Sequence, residues 1–360
     1  MTSPQSNSGR ILRIIDANFN RISEGLRLLE EIARMLLDDA GLTQQLKSMR
    51  HDVIRSDDSF QEQLLQSRNS AGDVGVDIEV PGEEKGKSLP IVLVANARRV
   101  QESLRTLEEL AKLPGLPPGF DSEKFKHARF SLYTIEQELM SRLLHQDRQK
   151  RVSGLYIVVD TEALKGRSHL EVAAQVIRGG ARVLQLHDKL QSRPKLLPIA
   201  RQLQALCDEH KALFIVNDYL DVALDCYADG LHLGQDDLPV AVARKLLPPG
   251  KLLGCSVTSV EQAVTAQSEG ADYVAVEAIY PTASKTSTTT LPKVVGLEIL
   301  RQVRKAVTIP VVAIGGITVD NVADVVSAGA DSVAVISAVL GAASPEKAAR
   351  QMAAKIEGKK

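Results

Sequence analysis

Apolar positions along the 360-residue chain follow two spacings. From Arg10 to about Leu144 they recur every three to four residues, which lines one face of a helix, and no convincing strand run interrupts them except Val74 to Val80. From Val152 onward the chain changes to short β-branched runs separated by amphipathic stretches, the mark of strand–helix units. The runs are Leu155–Val159, Val183–Leu186, Leu213–Val216, Gly230–Leu233, Leu252–Cys255, Tyr273–Ile279, Pro310–Ile314 and Ser332–Val335, with a last helix over Pro345–Ile356. Eight such units in about 205 residues predict a (β/α)8 TIM barrel, with a doubly wound open sheet as the alternative. The expected organisation is α/β: a disordered polar tail over 1–9, an all-α helical domain over 10–147, and a barrel over 152–357. The charged run His145 to Arg151 reads as a helix end and linker.

The helical part repeats itself. Asp16 to Arg34 (DANFNRISEGLRLLEEIAR) aligns without gaps on Val94 to Lys112 (VANARRVQESLRTLEELAK), with ten of nineteen positions identical. LKSMRHDV (46–53) and FKHARFSL (125–132) then open second helices, so the unit is a helical hairpin used twice, and two hairpins can pack as a four-helix bundle. The shared apolar positions form a core stripe. The shared polar ones, Asn18, Arg21, Glu24, Arg27 and Glu30 against Asn96, Arg99, Glu102, Arg105 and Glu108, are read as ladders of ion pairs or as a polar pocket at the pseudo-twofold. Between the hairpins, Arg68 to Pro90 is too polar and glycine-rich for a helix, and Ser70 to Gly75 could cradle a phosphate or merely turn.

In a barrel the chemistry sits where strands end. Polar residues and glycines follow nearly every run: Gln185 to Lys189, Asn217-Asp218, Gly234 to Asp237, Ser256, Pro281 to Lys285, Gly315-Gly316 and Ile336-Ser337. Two of these corners are acidic and about twenty residues apart, at Asp218 and at Asp236-Asp237. On neighbouring parallel strands they would share a rim, and one or two carboxylates completed by water and phosphate suit Mg²⁺. Alternatively these aspartates cap the helices that follow. Lys189 and Lys285 add positive charge to the same rim, and the Gly315-Gly316 and Ile336-Ser337 corners stand where barrels bind phosphate.

Composition narrows the ligands. A net charge of −1, 3% aromatic residues and no Trp supply neither a basic face nor stacking platforms, so nucleic acid is not an expected partner. Cys207, Cys226 and Cys255 lack the spacing of a zinc site or a disulfide framework, and no run approaches the ~18 apolar residues of a membrane span. A cytoplasmic protein with no membrane partner is expected; oligomeric state is left open.

The residues from Val152 to about Ile356 resemble the thiamine-phosphate synthase family (thiamin phosphate pyrophosphorylase). The motifs that carry this are QLxDK at Gln185 to Lys189, ND at Asn217-Asp218, HLGQxDLP at His232 to Pro239, GCS at Gly254 to Ser256, YPTxSK at Tyr280 to Lys285, AIGGI at Ala313 to Ile317 and Ile336-Ser337. The resemblance implies a Mg²⁺-dependent transferase that joins hydroxymethylpyrimidine diphosphate to thiazole phosphate, giving thiamine phosphate and pyrophosphate. It implies Asp218 and Asp237 as metal ligands, and Lys285, Ser256 and Lys189 as catalytic groups. Gln185, Leu186, His187, Asp188, Lys189, Asn217, Ser256 and Lys285 would hold the pyrimidine diphosphate; Thr282, Ala283, Ser284, Gly316, Ile336 and Ser337 would hold the thiazole phosphate. Two departures stand out: His187 replaces the family's arginine, and the histidine often found near Thr258 is absent. The helical half resembles a domain fused ahead of this synthase and linked to phosphorylation of hydroxymethylpyrimidine phosphate, through Asp16 to Arg34 and its repeat; a scaffold or dimerisation unit is the competing role.

Two other functions compete with the transferase: a thiazole tautomerase-like isomerase and a non-catalytic ligand-binding regulator on the same barrel. Neither needs both acidic corners together with both lysines, which favours the transferase.

Overall fold

The computed structural model describes residues 7–55, 57–68, 88–117, 119–282 and 294–358. It divides into two compact units, Met1–Leu144 and His145–Lys360.

The first unit is all helical. α1 (Asn7–Glu31) starts inside the stretch expected to be a polar tail and ends in one π-helical turn (Ile32–Leu36). α2 (Ala40–Ile54), α3 (Asp58–Ser67), α4 (Leu89–Leu110) and α5 (Ser122–Arg151) follow. The two hairpins differ: the second arm of the first is broken into α2 and α3, whereas that of the second is a single helix. The break has a local cause, since Asp57 accepts the Phe60 N–H at 2.7 Å and so starts a new helix. Ile22, Leu26, Leu29, Val100, Leu104 and Leu107 are fully buried, as the stripe requires. α1 and α4 cross closely at Gly25, where a Cβ would come within 2.4 Å of Val100 Cγ2.

Six of the repeated polar residues, Asn18, Arg27 and Glu30 with Asn96, Arg105 and Glu108, make bonds within the fold. Asn18 and Asn96 each donate to the carbonyl four residues back, Ile14 and Val92, at 2.8 Å. Glu30 accepts a forked pair from Arg50 (3.2 and 3.0 Å), and its counterpart Glu108 accepts the same pair from Arg129 (3.2 and 2.9 Å). Along one helix, Arg27 meets Glu31 and Arg105 meets Glu108 and Glu109. The duplication therefore preserves a cross-helix ion pair in each half, beyond the ladders expected within single helices. Val74 to Val80 and the Ser70 to Gly75 turn lie outside the described residues.

The second unit is a closed barrel of eight parallel strands in sequential order, β1 (Gly154–Asp160), β2 (Ala181–His187), β3 (Leu213–Asn217), β4 (Gly230–Leu233), β5 (Leu252–Val257), β6 (Tyr273–Val276), β7 (Val311–Ile314) and β8 (Ser332–Val335). Helices intervene, from α6 (Thr161–Leu164) and α7 (His169–Arg178) to α14 (Ser337–Leu340) and α15 (Pro345–Glu357). Period-2 alternation sorts each strand. Leu155, Ile157 and Val159 of β1 pack outward under the helices, and Tyr156 and Val158 pack inward with Val183, Ile215, Leu252, Tyr273 and Val312. β6 stops before the expected Ile279 because the chain leaves the β5 ladder after Glu277. Ile279 N–H then bonds the Ile314 carbonyl at 3.0 Å and Tyr280 N–H the Gly315 carbonyl at 3.0 Å. The segment from His145 to Arg151 is bonded to this unit: His145 meets Asp272 at 2.7 Å, and Arg148 meets Asp229 at 3.1 Å.

Candidate active site

The strand ends open into two adjoining cavities of about 260 and 200 Å³ that share Glu277, Ile314, Ala334 and Ile336 in their common wall. Alternation decides which side chains reach the larger one. Gln185, His187 and Lys189 face it, whereas Leu186 packs outward into the core under the helices and lines neither cavity. Asp188 is also turned away. It is buried, accepting from Thr161 Oγ1 (2.6 Å) and from the Leu190 and Gln191 N–H groups (both 2.8 Å), so it shapes the loop that carries Lys189.

The acidic corners do meet. Asp218 sits at φ 60°, a left-handed conformation that Asp tolerates and that turns its carboxylate back over the rim. Asp237 accepts the Gly234 N–H at 2.7 Å, and Lys189 Nζ lies 3.4 Å from Asp218 Oδ2. Burial and the neighbouring Asp237 push the Asp218 carboxyl up to about 6, against the pull of Lys189. Neither aspartate caps a helix in this arrangement: the residue before the helix after β3 is Tyr219, and before the helix after β4 it is Pro239.

At the end of β2, His187 Nδ1 lies 2.6 Å from Asp160 Oδ2. Burial opposes the Asp160 carboxylate. The His187 bond and the Ala163 N–H, 2.8 Å from Oδ1, outweigh it and hold the pKa below the usual carboxylate range. The imidazole is thereby oriented by a fixed anion. Sequence reading missed Asp160, although it stands on the same side of β1 as Tyr156 and Val158, four and two residues earlier.

The floor is a line of buried hydrogen bonds. Tyr156 O–H reaches Gln185 Oε1 (2.6 Å) and Tyr273 O–H (3.1 Å); Tyr273 reaches His232 Nδ1 (3.1 Å), and His232 Nε2 reaches Ser256 Oγ (3.1 Å). Gln185 Nε2 donates to Asn217 Oδ1 at 2.7 Å. Of these, Tyr156, Tyr273 and His232 were not among the expected site residues.

The smaller cavity is lined by Thr282, Gly315, Gly316, Ile336 and Ser337. Gly315 and Gly316 have φ of 103° and 64°, and a Cβ on Gly316 would come within 2.5 Å of the Pro281 carbonyl, so both backbone and space demand glycine here. Ala283, Ser284 and Lys285 lie outside the described residues.

Comparison with known proteins fits this arrangement. Residues 155–339 match the family described as thiamine monophosphate synthase, and residues 13–138 match the ThiD2 family. The chain is similar to the thiamine-phosphate synthase of Thermosynechococcus vestitus, 39% identical over 351 residues, covering 97% of this chain and 96% of that protein. It is also similar to the thiamine-phosphate synthase of Methanospirillum hungatei, 47% identical over 196 residues, covering 54% of this chain and 93% of that protein. Among solved structures, thiamine phosphate pyrophosphorylase from Pyrococcus furiosus superposes with a TM-score of 0.53 at 37% identity, covering 59% of this chain and 98% of that one.

Proposed function

The chain belongs to the thiamine monophosphate synthase family, and on that footing we propose that its barrel joins hydroxymethylpyrimidine diphosphate to thiazole phosphate, releasing pyrophosphate. The observation that carries this reading is the pair of adjoining cavities with one shared wall, the larger rimmed by charge and the smaller by glycines. Two phosphorylated heterocycles meeting across Ile314 and Ile336 need that plan, whereas an isomerase acting on one ring does not.

In the reaction the pyrimidine methylene C–O bond breaks, and its electron pair leaves on the diphosphate. The aminopyrimidine ring delocalises the resulting cation, and the thiazole nitrogen closes the new C–N bond. Stabilising the departing anion is therefore the main catalytic task. Lys189 is placed for it at the rim, and His187, oriented by Asp160, presents its other nitrogen on the same side. Lys285, expected to hold the pyrimidine diphosphate, is included in this proposal. The apolar walls from Val158, Ala275 and Val312 exclude water that would otherwise capture the cation.

The two carboxylates fit a divalent cation. Held together with one pKa raised to about 6, they form an anionic pair whose counter-charge among the described residues is Lys189. Among the described residues no cluster of three or more His, Cys, Asp and Glu stands ready to cage a metal, which suits Mg²⁺ completed by substrate oxygens rather than a metal wholly held by protein. Asp218 and Asp237 would hold it, and it would neutralise charge on the diphosphate. A cytoplasmic setting belongs to the same reading, supported by three unpaired, buried cysteines; among the described residues no helix is long and apolar enough to cross a membrane.

The test is to supply both heterocycles, then each alone. Thiamine phosphate and pyrophosphate formed one to one, and only with both present, support the transferase; rearrangement of the thiazole alone would establish the isomerase instead. Replacing the diphosphate by its monophosphate with ATP tests whether the helical unit supplies the missing phosphate.

A further inference from the structure

The hydrogen-bond line under the larger cavity has a direction, and the direction can be worked out by counting protons. Gln185 Oε1 can only accept, so the Tyr156 hydroxyl donates to it. Having spent its proton there, Tyr156 must accept from Tyr273. Tyr273 in turn must accept from His232 Nδ1, which therefore carries the ring proton. His232 is buried, which favours the neutral ring; Nε2 then accepts, and Ser256 donates to it. Burial raises the pKa of both tyrosines, so both keep the protons this count requires. The rings cannot drift from their places: His232 stacks on Tyr273 at 5.6 Å, and a Cβ on Gly254 would lie 2.1 Å from Tyr273 Cζ.

We propose that this line is a polarised selector for the substrate ring. It holds His232 as the Nδ1–H tautomer, commits the Ser256 hydrogen to His232, and so shows the cavity a Ser256 lone pair; Asn217, its Oδ1 taken by Gln185, lines the same cavity and offers it amide N–H groups. A heteroaromatic ring that carries an amino group next to a ring nitrogen matches that pair, donating to Ser256 and accepting from Asn217. A ring bearing a carbonyl in place of the amine meets acceptor against acceptor. Tyr156, Tyr273 and His232 are positioning residues in this scheme. The inference rests on the pyrimidine reading of this cavity and adds what sets the ring preference.

The test has two arms, neither of which depends on turnover. Long-range ¹⁵N–¹H correlation spectra of the full chain, with the His232 signals assigned by their loss in His232→Gln, are expected to show Nδ1 protonated and Nε2 bare. An Nε2–H tautomer would mean that both amides are turned over and the line runs the other way, which overturns the proposal. Calorimetric titration with the aminopyrimidine alcohol and with its carbonyl counterpart is expected to favour the amine on the order of 10- to 100-fold. In Ser256→Ala that preference should fall toward parity; an equal loss for both rings would show Ser256 to be mere packing and sink the selector. Absence of thiamine phosphate synthesis would count against the activity while leaving both readouts interpretable.

Discussion

Asp218 carries a conflict that the functional reading explains. A carboxyl raised from 3.8 to about 6 is easier to protonate in the fold than in the unfolded chain. Its contribution is therefore destabilising, grows as pH rises from about 4 through 6, and is fully present above that. Asp218→Asn keeps a residue that accepts positive φ and removes the repulsion from Asp237. Screened by the open rim, the gain is expected to be about 1–2 kcal/mol at pH 7 without divalent metal, and near zero at pH 4, read from urea midpoints. A gain over the native chain no larger at pH 7 than at pH 4 would refute the strained pair. At this scale the motifs at strand ends pointed to Gln185, His187, Lys189, Asn217, Asp218, Asp237 and Ser256, which line one cavity. Legibility failed in two ways. Reading Gln185 to Lys189 as one block took in Leu186 and Asp188, which alternation sends to the far side of the sheet. Looking only at strand ends passed over Tyr156, Tyr273 and His232, which sit one or more inward positions deeper; Asp160 does end β1, but its partner His187 comes from the next strand.

At the scale of elements, all eight strands were legible because a buried parallel strand is a nearly continuous apolar run. β6 was read too long because apolar residues continue after the ladder ends, and hydropathy cannot distinguish a strand from a chain crossing to the β7 corner. In the helical unit the repeat exposed the polar positions but not their partners, since Arg50 and Arg129 sit on other helices. Those partners give an expectation. Glu108 is 4% exposed and serves Arg129, whose side chain is 13% exposed, whereas Arg50 opposite Glu30 is at 22%. Glu108→Ala should cost about 2–3 kcal/mol and Glu30→Ala about 1–2, because the more buried arginine is left with the more costly unpaired charge. Denaturant unfolding checks the order; the reverse order, or no loss in either, would contradict the structural reading of the repeat.

For the whole molecule, the residues that match the synthase family, 155–339, fall within the barrel. A chain beginning at His145 should accordingly retain synthase turnover within about threefold of the full protein, an effect of under 1 kcal/mol. Beginning instead at Gly154 removes the partners that His145 and Arg148 provide for Asp272 and Asp229, and should lower the melting temperature by several degrees. Loss of synthesis in the His145 form, with its fold intact, would show that the helical unit takes part in the chemistry.

The central claim, that a carboxylate pair on the barrel rim serves a metal-assisted transfer between two heterocycles, is tested most directly by one titration. Thiamine phosphate formation is followed against Mg²⁺ for the native chain and for Asp218→Asn and Asp237→Asn, with both substrates saturating. Saturable dependence on Mg²⁺ in the native chain, and turnover lowered at least about 100-fold in both folded variants, is the expected result. Full turnover by the native chain after removal of all divalent metal, or unchanged Mg²⁺ dependence in both variants, would contradict it.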